Sequence, residues 1–277
     1  MDHPDRSAPG EDHHHGSPPD KDSPDFSALY DQHPDYVARR QKGSFEQAQI
    51  GIEVRLFKLP HLLRLFPGDP LPTSVLEIGC ATGELIAAMP VATGGRRVGV
   101  DISAENIAVA RARFPLVEFR CGDFRALPVE HFERVVMSDV LEHVPDDAAF
   151  LRDAARLGDL VLVNLPLEDN WLNRRRRYGP GDVSGHLRRY SLADGLALFD
   201  RAGLDVVAHT RVWVHETPTE DARRTLRRER TGAAYAGSRS TRMLRRLVFG
   251  AALAWRPLGR RLFASNLFVA ARARPVP

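Results

Sequence analysis

The sequence predicts a doubly wound α/β fold, in which helices cover both faces of a parallel β-sheet. Short apolar runs alternate with segments of helical period from about residue 70 onward. Strands that alternate with helices at this spacing are typical of parallel sheets built from β-α-β units. The runs of strand length lie at 74–78, 97–100, 116–120, 133–137 and 159–164.

Local signals support the elements around these runs. Ser103 is a residue type that favours the N-cap of a helix, and Ser191 with Asp194 has the spacing of a capping box. We therefore expect helices to begin directly after Ser103 and Ser191. Further strands are predicted at about 205–214 and 267–270, the second of which reads as the last strand of the sheet.

The flanking segments differ from the sheet-forming part. Residues 1–25 are mostly Asp, His, Pro, Ser and Gly, and we expect a disordered tail there. Residues 26–68 are interpreted as two helices that form an N-terminal lid, one closing at Pro60. Residues 69–277 form the main domain, including a basic helical insertion at 216–263.

Composition indicates a soluble, cytoplasmic protein. The chain has 277 residues, 43% of them hydrophobic, and a formal charge of +3. Its two cysteines, Cys80 and Cys121, have no metal-type spacing, and no metal site is predicted. We identify neither an apolar run long enough to span a membrane nor a secretory signal.

The strongest chemical signal is the turn that follows the first strand. Glu77 and Ile78 lead into Gly79-Cys80-Ala81-Thr82-Gly83, whose glycines permit positive φ and close approach of the backbone to a ligand. A dinucleotide site favours Gly-x-Gly-x-x-Gly, and this spacing is broken here. A carboxylate at Glu77 repels phosphate but attracts an ammonium group. The loop therefore favours S-adenosylmethionine over NAD.

Two more acids follow the next strands. Asp101 ends the second strand, where a carboxylate can accept hydrogen bonds from both ribose hydroxyls. Asp123 follows the third strand and can accept from an adenine amino group, with Phe124 flanking the ring. Acids at consecutive strand ends lie in the crevice where open α/β sheets bind ligands.

At these residues the sequence resembles the class I S-adenosylmethionine-dependent methyltransferases. The motifs that carry the resemblance are Val75–Leu85, Val98–Ile102, Gly122–Phe124 and Ser138–Asp146. The small-molecule branch that includes the ubiquinone-biosynthesis type is the most similar group. The resemblance implies a Rossmann-like, seven-stranded, mostly parallel sheet with a final antiparallel strand near 265–272. It also implies that the cofactor is bound by Glu77, Gly79, Cys80, Ala81, Gly83, Asp101, Ile102, Asp123, Phe124 and Ser138.

Two histidines are candidates for the catalytic base. His143 follows the fourth strand, and His186 lies in a later segment that also resembles the family. An imidazole titrates near neutrality and suits proton removal from a methyl acceptor. For both residues, bracing a loop is the alternative interpretation.

Substrate contacts are predicted for Trp171, Arg188 and Tyr190. The four-arginine run Arg174–Arg177 beside Trp171 would suit an anionic acceptor, or is simply a solvated basic loop. Arg188 and Tyr190 could equally brace the loop in which they lie.

The segment 222–261 contains twelve arginines against Glu229. Leu244, Leu247, Val248, Ala251 and Trp255 follow helical spacing within it. Such a helix could contact an anionic membrane as a peripheral protein, pack on the protein's own sheet, or join two copies in a homodimer. No recognisable RNA-binding module is present, so no nucleic-acid partner is expected.

These observations predict an S-adenosylmethionine-dependent methyltransferase that acts on an oxygen or nitrogen of a small-molecule acceptor. The alternative is a membrane-surface methyltransferase of a lipid or quinone that uses the basic insertion. A dehydrogenase is disfavoured by the loop spacing, and a cofactor-binding protein without catalytic activity stays open.

Overall fold

The computed structural model describes residues 45–66, 70–170, 173, 176–179, 182, 185–231, 247, 250–252 and 254–275. The predicted tail at 1–25, the first part of the predicted lid, Trp171 and much of the Arg-rich segment lie outside these residues.

Seven strands form one sheet in the order β3-β2-β1-β4-β5-β7-β6. Strands β1 to β5 run parallel, and β7 is antiparallel to both β5 and β6. The predicted fold class and the antiparallel last strand are therefore confirmed. The strands are β1 (Ser74–Ile78), β2 (Arg96–Asp101), β3 (Glu118–Cys121), β4 (Phe132–Ser138), β5 (Gly158–Pro166), β6 (Leu204–Val212) and β7 (Asn266–Ala273).

The helices begin where their capping residues predict. The Ser103 side chain accepts a hydrogen bond from the Asn106 amide, and Ser191 with Asp194 forms a complete capping box. Both predicted starts are confirmed. The helices are α1 (Phe45–Glu53), α2 (Leu59–Leu63), α3 (Glu84–Ala88), α4 (Ala104–Arg113), α5 (Asp147–Ala155), α6 (Leu192–Arg201), α7 (Pro218–Thr231) and α8 (Arg256–Phe263).

Apolar side chains fill both faces of the sheet. Leu151 of α5 and Phe199 of α6 are buried in one cluster, and Ile86 of α3 and Ile107 of α4 are buried in the other. Successive residues of a strand point to opposite faces, so the central strands supply apolar side chains to both clusters. This packing holds the carboxyl ends of the parallel strands along one edge.

The described part of the predicted lid differs from its prediction at Pro60. A π-helical turn, Val54–Lys58, joins α1 to α2, and Pro60 lies in the first turn of α2. The prediction that a helix closes at Pro60 is therefore wrong. The wider π turn continues the helical path into a first turn where the missing proline N–H is tolerated. Phe57 and His61 pack against Phe268 of β7, with ring centroids 5.5 and 5.0 Å away.

The described residues of the Arg-rich segment are only partly packed. Ala252 and Phe263 are buried against Trp213, whereas the side chains of Leu247 and Trp255 are both 62% exposed. Within the described residues, the predicted apolar stripe is thus not covered by the protein's own sheet. No helix among the described residues is long and apolar enough to cross a bilayer.

The sheet order places β1 beside β4, while β2 and β3 continue outward on the other side of β1. The connections therefore leave β1 and β4 in opposite directions, which opens a crevice at their carboxyl ends. The candidate site lies at this crevice.

Candidate active site

The backbone of the turn after β1 has the shape that its glycines predict. Gly79 and Gly83 have φ of 75° and 87°, and Ala81 has φ of 46°. A Cβ on Gly79 would lie 2.5 Å from Val140 Cγ2, so only glycine permits this approach between the β1 and β4 loops. Cys80 is buried, and burial raises the pKa of its thiol well above the usual value.

Glu77 is the buried acid at the end of β1. Its Oε2 has no hydrogen-bond partner among the described residues. Burial raises the pKa of Glu77 to about 8, and the nearby Lys58 limits that rise. A buried carboxylate oxygen without a donor is complementary to an ammonium group that enters the crevice.

Asp101 organises the turn as well as facing the crevice. Its Oδ2 accepts from the Ala81 amide at 2.8 Å, and its Oδ1 accepts from the Ser103 amide at 2.8 Å. Asn106 Nδ2 also donates to Oδ1 at 3.5 Å, so a ligand hydroxyl would share the carboxylate with these groups. Asp101 thereby couples the β1 turn to the start of α4.

The third strand end carries Asp123 and Phe124. Arg125 donates to both Asp123 oxygens, and these bonds outweigh burial, so the pKa of Asp123 is lowered. Phe124 is buried against Phe150 at 5.0 Å between ring centroids, while Ile102 is exposed. A ligand amine would therefore share Asp123 with Arg125, and Phe124 is mainly a core residue.

The end of β4 contains a polar network that the sequence did not reveal. Asp139, which has φ of 57°, accepts from Ser138 Oγ at 3.0 Å and from Asn164 Nδ2 at 3.1 Å. Lys58 Nζ lies 2.8 Å from Asp139 Oδ2 and 3.4 Å from Glu53. Burial alone would lower the pKa of Lys58, but the two carboxylates raise it. The π-helical turn therefore attaches the N-terminal helices to the β4 loop by a charged side chain.

His143 and His186 meet beside this loop. Their rings pack edge to face with centroids 4.7 Å apart. His143 Nδ1 donates to the Gly185 carbonyl at 3.1 Å, and burial together with His186 lowers the pKa of His143 to about 4. The structure therefore brings both predicted catalytic histidines together.

His186 is held by a chain of charges. Its Nδ1 donates to Glu168 Oε2 at 2.6 Å, and Arg176 forms an ion pair with Glu168. Arg176 also bonds Asp182 at 2.6 Å, and Asp182 accepts from the His186 amide at 3.1 Å. The guanidinium of Arg176 is thus paired with the protein's own carboxylates.

Tyr190 and Arg188, two of the predicted substrate contacts, form hydrogen bonds within the protein. Tyr190 is 3% exposed, and its hydroxyl donates to Asp147 Oδ2 at 2.8 Å. Arg188 donates to the carbonyls of Leu141 and Pro145. These bonds brace the loop after β4, which was the alternative interpretation for both residues, and the substrate contacts of Tyr190 and Arg188 stay predictions.

Sequence reasoning missed Lys58, Asp139, Glu142 and Glu168. Lys58 did carry a signal, because only three of the 39 basic residues of the chain are lysines. A compact ammonium group can pair with two carboxylates at once, as Lys58 does with Asp139 and Glu53. Asp139 and Glu142 lie within the Ser138–Asp146 motif, but only their neighbours were singled out.

Comparison with known proteins agrees with this geometry. Residues 75–158 match the family described as a methyltransferase domain. A probable S-adenosylmethionine-dependent methyltransferase of Mycolicibacterium smegmatis is 33% identical over 142 residues, 48% of this chain and 52% of that protein. A ubiquinone biosynthesis O-methyltransferase of Bradyrhizobium sp. is 39% identical over 105 residues, 35% of this chain and 41% of that protein. This chain thus spans about half or less of these relatives.

Among solved structures, a chain from the complex with the Haloferax volcanii Trm112 methyltransferase activator has a TM-score of 0.56 and 19% identity. The similarity covers 83% of this chain and 95% of that chain, and at this identity it shows the fold alone. Residues 75–158 therefore match a methyltransferase domain, and the relatives found include S-adenosylmethionine-dependent enzymes, which supports S-adenosylmethionine as the cofactor.

The residues present fit this cofactor. The buried Glu77 Oε2 has no donor among the described residues, and the turn at Gly79 and Gly83 has the positive φ that lets the backbone approach a ligand closely. Glu77 would hold the methionyl ammonium, Asp101 the ribose and Asp123 the adenine amine.

Proposed function

We propose that this chain transfers a methyl group from S-adenosylmethionine to an oxygen or nitrogen of a small-molecule acceptor. The observation that carries the proposal is the pair of histidines at the end of β4, beside the crevice that fits the cofactor. When bound, the cofactor would supply an electrophilic methyl group, which passes to the acceptor atom as its bond to sulfur breaks and S-adenosylhomocysteine leaves.

The chain's own residues would position the acceptor and receive its proton. The Glu168 carboxylate holds the proton of His186 on Nδ1, so the Nε2 lone pair points away from that bond. The Gly185 carbonyl does the same for His143. An acceptor hydroxyl or amine that reaches this pair would meet an imidazole Nε2 lone pair, and the lowered pKa of His143 leaves His186 as the candidate base and His143 as a positioning residue. The π-helical turn and the β4 loop would exclude water, joined by Lys58 and Asp139.

The test is methyl transfer from isotopically labelled S-adenosylmethionine to a panel of phenols, catechols, amines and carboxylic acids. We expect His143→Ala and His186→Ala to lower turnover by about 100-fold or more, the contribution of a positioned base. Cofactor affinity, measured by calorimetry, should stay nearly unchanged in both. Wild-type turnover in both variants would remove the histidine pair from the reaction.

A second candidate function, methylation of a lipid or quinone at a membrane surface, is favoured by the surface of α8. Trp255 and Leu262 are 62% and 44% exposed there, beside the exposed Arg256 and Arg261. Apolar side chains flanked by arginines suit a bilayer with anionic headgroups. This interpretation predicts a peripheral membrane contact, whereas the first predicts none.

Vesicle co-sedimentation separates the two candidates. Binding to vesicles that contain phosphatidylglycerol but not to pure phosphatidylcholine, and its loss in Trp255→Ala/Arg261→Ala, would support the membrane candidate. Leu116→Ala is the matched control, because Leu116 is 94% exposed elsewhere on the surface. Equal sedimentation with and without anionic lipid would reject it.

A further inference from the structure

Glu142 is a buried acid that the proposed reaction does not use. It is 1% exposed, and neither of its carboxylate oxygens has a hydrogen-bond partner among the described residues. A buried carboxylate without donors carries a large free-energy cost unless a cation compensates it. His143 Nε2 lies 3.7 Å from Glu142 Oε1, and Lys58 attracts the carboxylate without forming an ion pair with it among the described residues.

Glu142, His143 and His186 converge on one point. One ligand atom from each residue lies within 4.8 Å of the others. His143 Nε2 is 3.7 Å from Glu142 Oε1. Two ligands of a tetrahedral zinc ion are roughly 3.4 Å apart at bond lengths near 2.1 Å. The pair of His143 Nε2 and Glu142 Oε1 already has nearly this spacing, and a separation of 4.8 Å would need side-chain shifts of roughly 1.4 Å to reach it.

The outer partners orient both imidazoles for metal binding. His143 and His186 each donate Nδ1–H, one to the Gly185 carbonyl and the other to the Glu168 carboxylate. This leaves Nε2 of each ring in the form that ligates a metal, and a carboxylate or carbonyl behind a histidine is the usual outer arrangement of such sites. Arg176 in turn holds Glu168 in place.

We propose that Glu142, His143 and His186 bind one divalent cation of the zinc and manganese class. Two imidazoles and one carboxylate favour such borderline ions over Mg²⁺ and Ca²⁺, which prefer oxygen ligands alone. The inference deepens the proposed function and reverses the expectation that the chain has no metal site. An acceptor hydroxyl bound to this cation would become more acidic and would lose its proton to water. In the metal-bound chain Nε2 of both histidines is a ligand, so the base role proposed above belongs to the metal-free chain.

The experiment measures metal binding to a variant of the chain, called the background chain, from which three consecutive N-terminal histidines have been removed. His13, His14 and His15 are consecutive in the sequence and would bind transition-metal ions independently of the fold. All variants therefore carry His13→Ala, His14→Ala and His15→Ala. Zn²⁺, Mn²⁺ and Mg²⁺ are titrated separately by calorimetry, and the visible spectrum of added Co²⁺ reports its ligands.

We expect one equivalent of Zn²⁺ to bind the background chain, with Mn²⁺ weaker and Mg²⁺ weakest. Glu142→Gln and His186→Ala should each weaken Zn²⁺ binding at least about 100-fold, and Glu168→Gln about tenfold through the orientation of His186. His131→Ala is the matched control, since His131 is an exposed histidine paired with Asp159, and should bind as the background does.

Two results would overturn the proposal: absence of Zn²⁺ and Mn²⁺ binding to the background chain, or equal binding by Glu142→Gln and His186→Ala. Cofactor affinity measured in the same samples shows that each variant is folded. If Glu142→Gln does not fold, His186→Ala and the Co²⁺ spectrum decide. Metal binding without methyl transfer would contradict the proposed function alone, and methyl transfer without metal binding would contradict this inference alone.

Discussion

The two sides of the crevice are held in shape by different interactions. On the cofactor side, the turn after β1 is positioned by backbone conformation and by amide hydrogen bonds to Asp101. On the acceptor side, the segment around His186 is positioned by ionised side chains, Glu168, Arg176 and Asp182. Backbone conformation depends little on individual side chains, so it suits the binding of a ligand that does not vary. A network of side chains can be changed by a single substitution. Under the proposed function, we expect acceptor choice to depend on the second side.

The largest expected effect tests the backbone side. Gly79→Ala places a Cβ against Val140 Cγ2 at a positive φ, and we expect it to cost about 2–4 kcal/mol of unfolding free energy. Cofactor affinity should fall at least tenfold. Gly94→Ala is the control: its φ is also positive, 77°, but nothing among the described residues lies within 4 Å of its Cβ. Urea unfolding that shows equal losses in both variants would contradict the close approach.

Asp101→Ala comes next. Loss of this buried acceptor should weaken S-adenosylmethionine binding by about 1–3 kcal/mol, because a charged hydrogen bond and the support of the Ala81 amide disappear together. Calorimetry measures the change. Asp159→Ala, at an exposed acid, should leave affinity unaltered. Unchanged affinity in Asp101→Ala would refute the ribose assignment.

The pH dependence of cofactor binding tests Glu77. The folded chain keeps the Glu77 proton up to a pKa of about 8, so an ammonium ligand binds more tightly as pH rises from 6.5 to 8. We expect a gain of about fivefold over this interval, because the ligand's α-amino group, with an ordinary pKa near 8, begins to lose its own proton there. Glu77→Gln should bind weakly and without this slope. A wild-type affinity that does not change with pH would remove Glu77 from the ammonium site.

The same carboxyl lowers the stability of the ligand-free chain. The unfolded chain loses the Glu77 proton near its ordinary pKa of 4.5, well below the folded value. Wild-type stability should therefore fall relative to Glu77→Gln as pH rises from 4.5 to 8. Denaturant unfolding at several pH values measures this difference, and parallel curves would contradict the raised pKa.

The smallest expected effect concerns the hydrogen bonds of Tyr190 to the loop after β4 and to α5. Tyr190→Phe removes hydrogen bonds to Asp147 and Leu141 and should cost about 1 kcal/mol of stability, with little change in KM for the acceptor. Tyr178→Phe is the control, because the Tyr178 hydroxyl has no hydrogen-bond partner among the described residues. A large rise in KM for the acceptor in Tyr190→Phe alone would support the predicted substrate contact.

The same contrast explains what the sequence could predict. Strand positions, the Ser103 cap and the Ser191 capping box depend on neighbouring residues, and the structure has them as predicted. The glycine turn was recognisable for the same reason. The pairs Lys58–Asp139 and Glu168–His186 join separate segments, and no local pattern specifies them. Pro60 was misjudged because the usual rule for proline assumes a regular α-helix rather than a π turn.

The central claim is that the turn Gly79–Gly83 binds S-adenosylmethionine and not a dinucleotide. Calorimetric titration of the full chain with S-adenosylmethionine and with NAD at pH 8 tests it most directly. We expect saturable binding of one equivalent of S-adenosylmethionine and no detectable binding of NAD. Tight NAD binding without binding of the methyl donor would contradict the account.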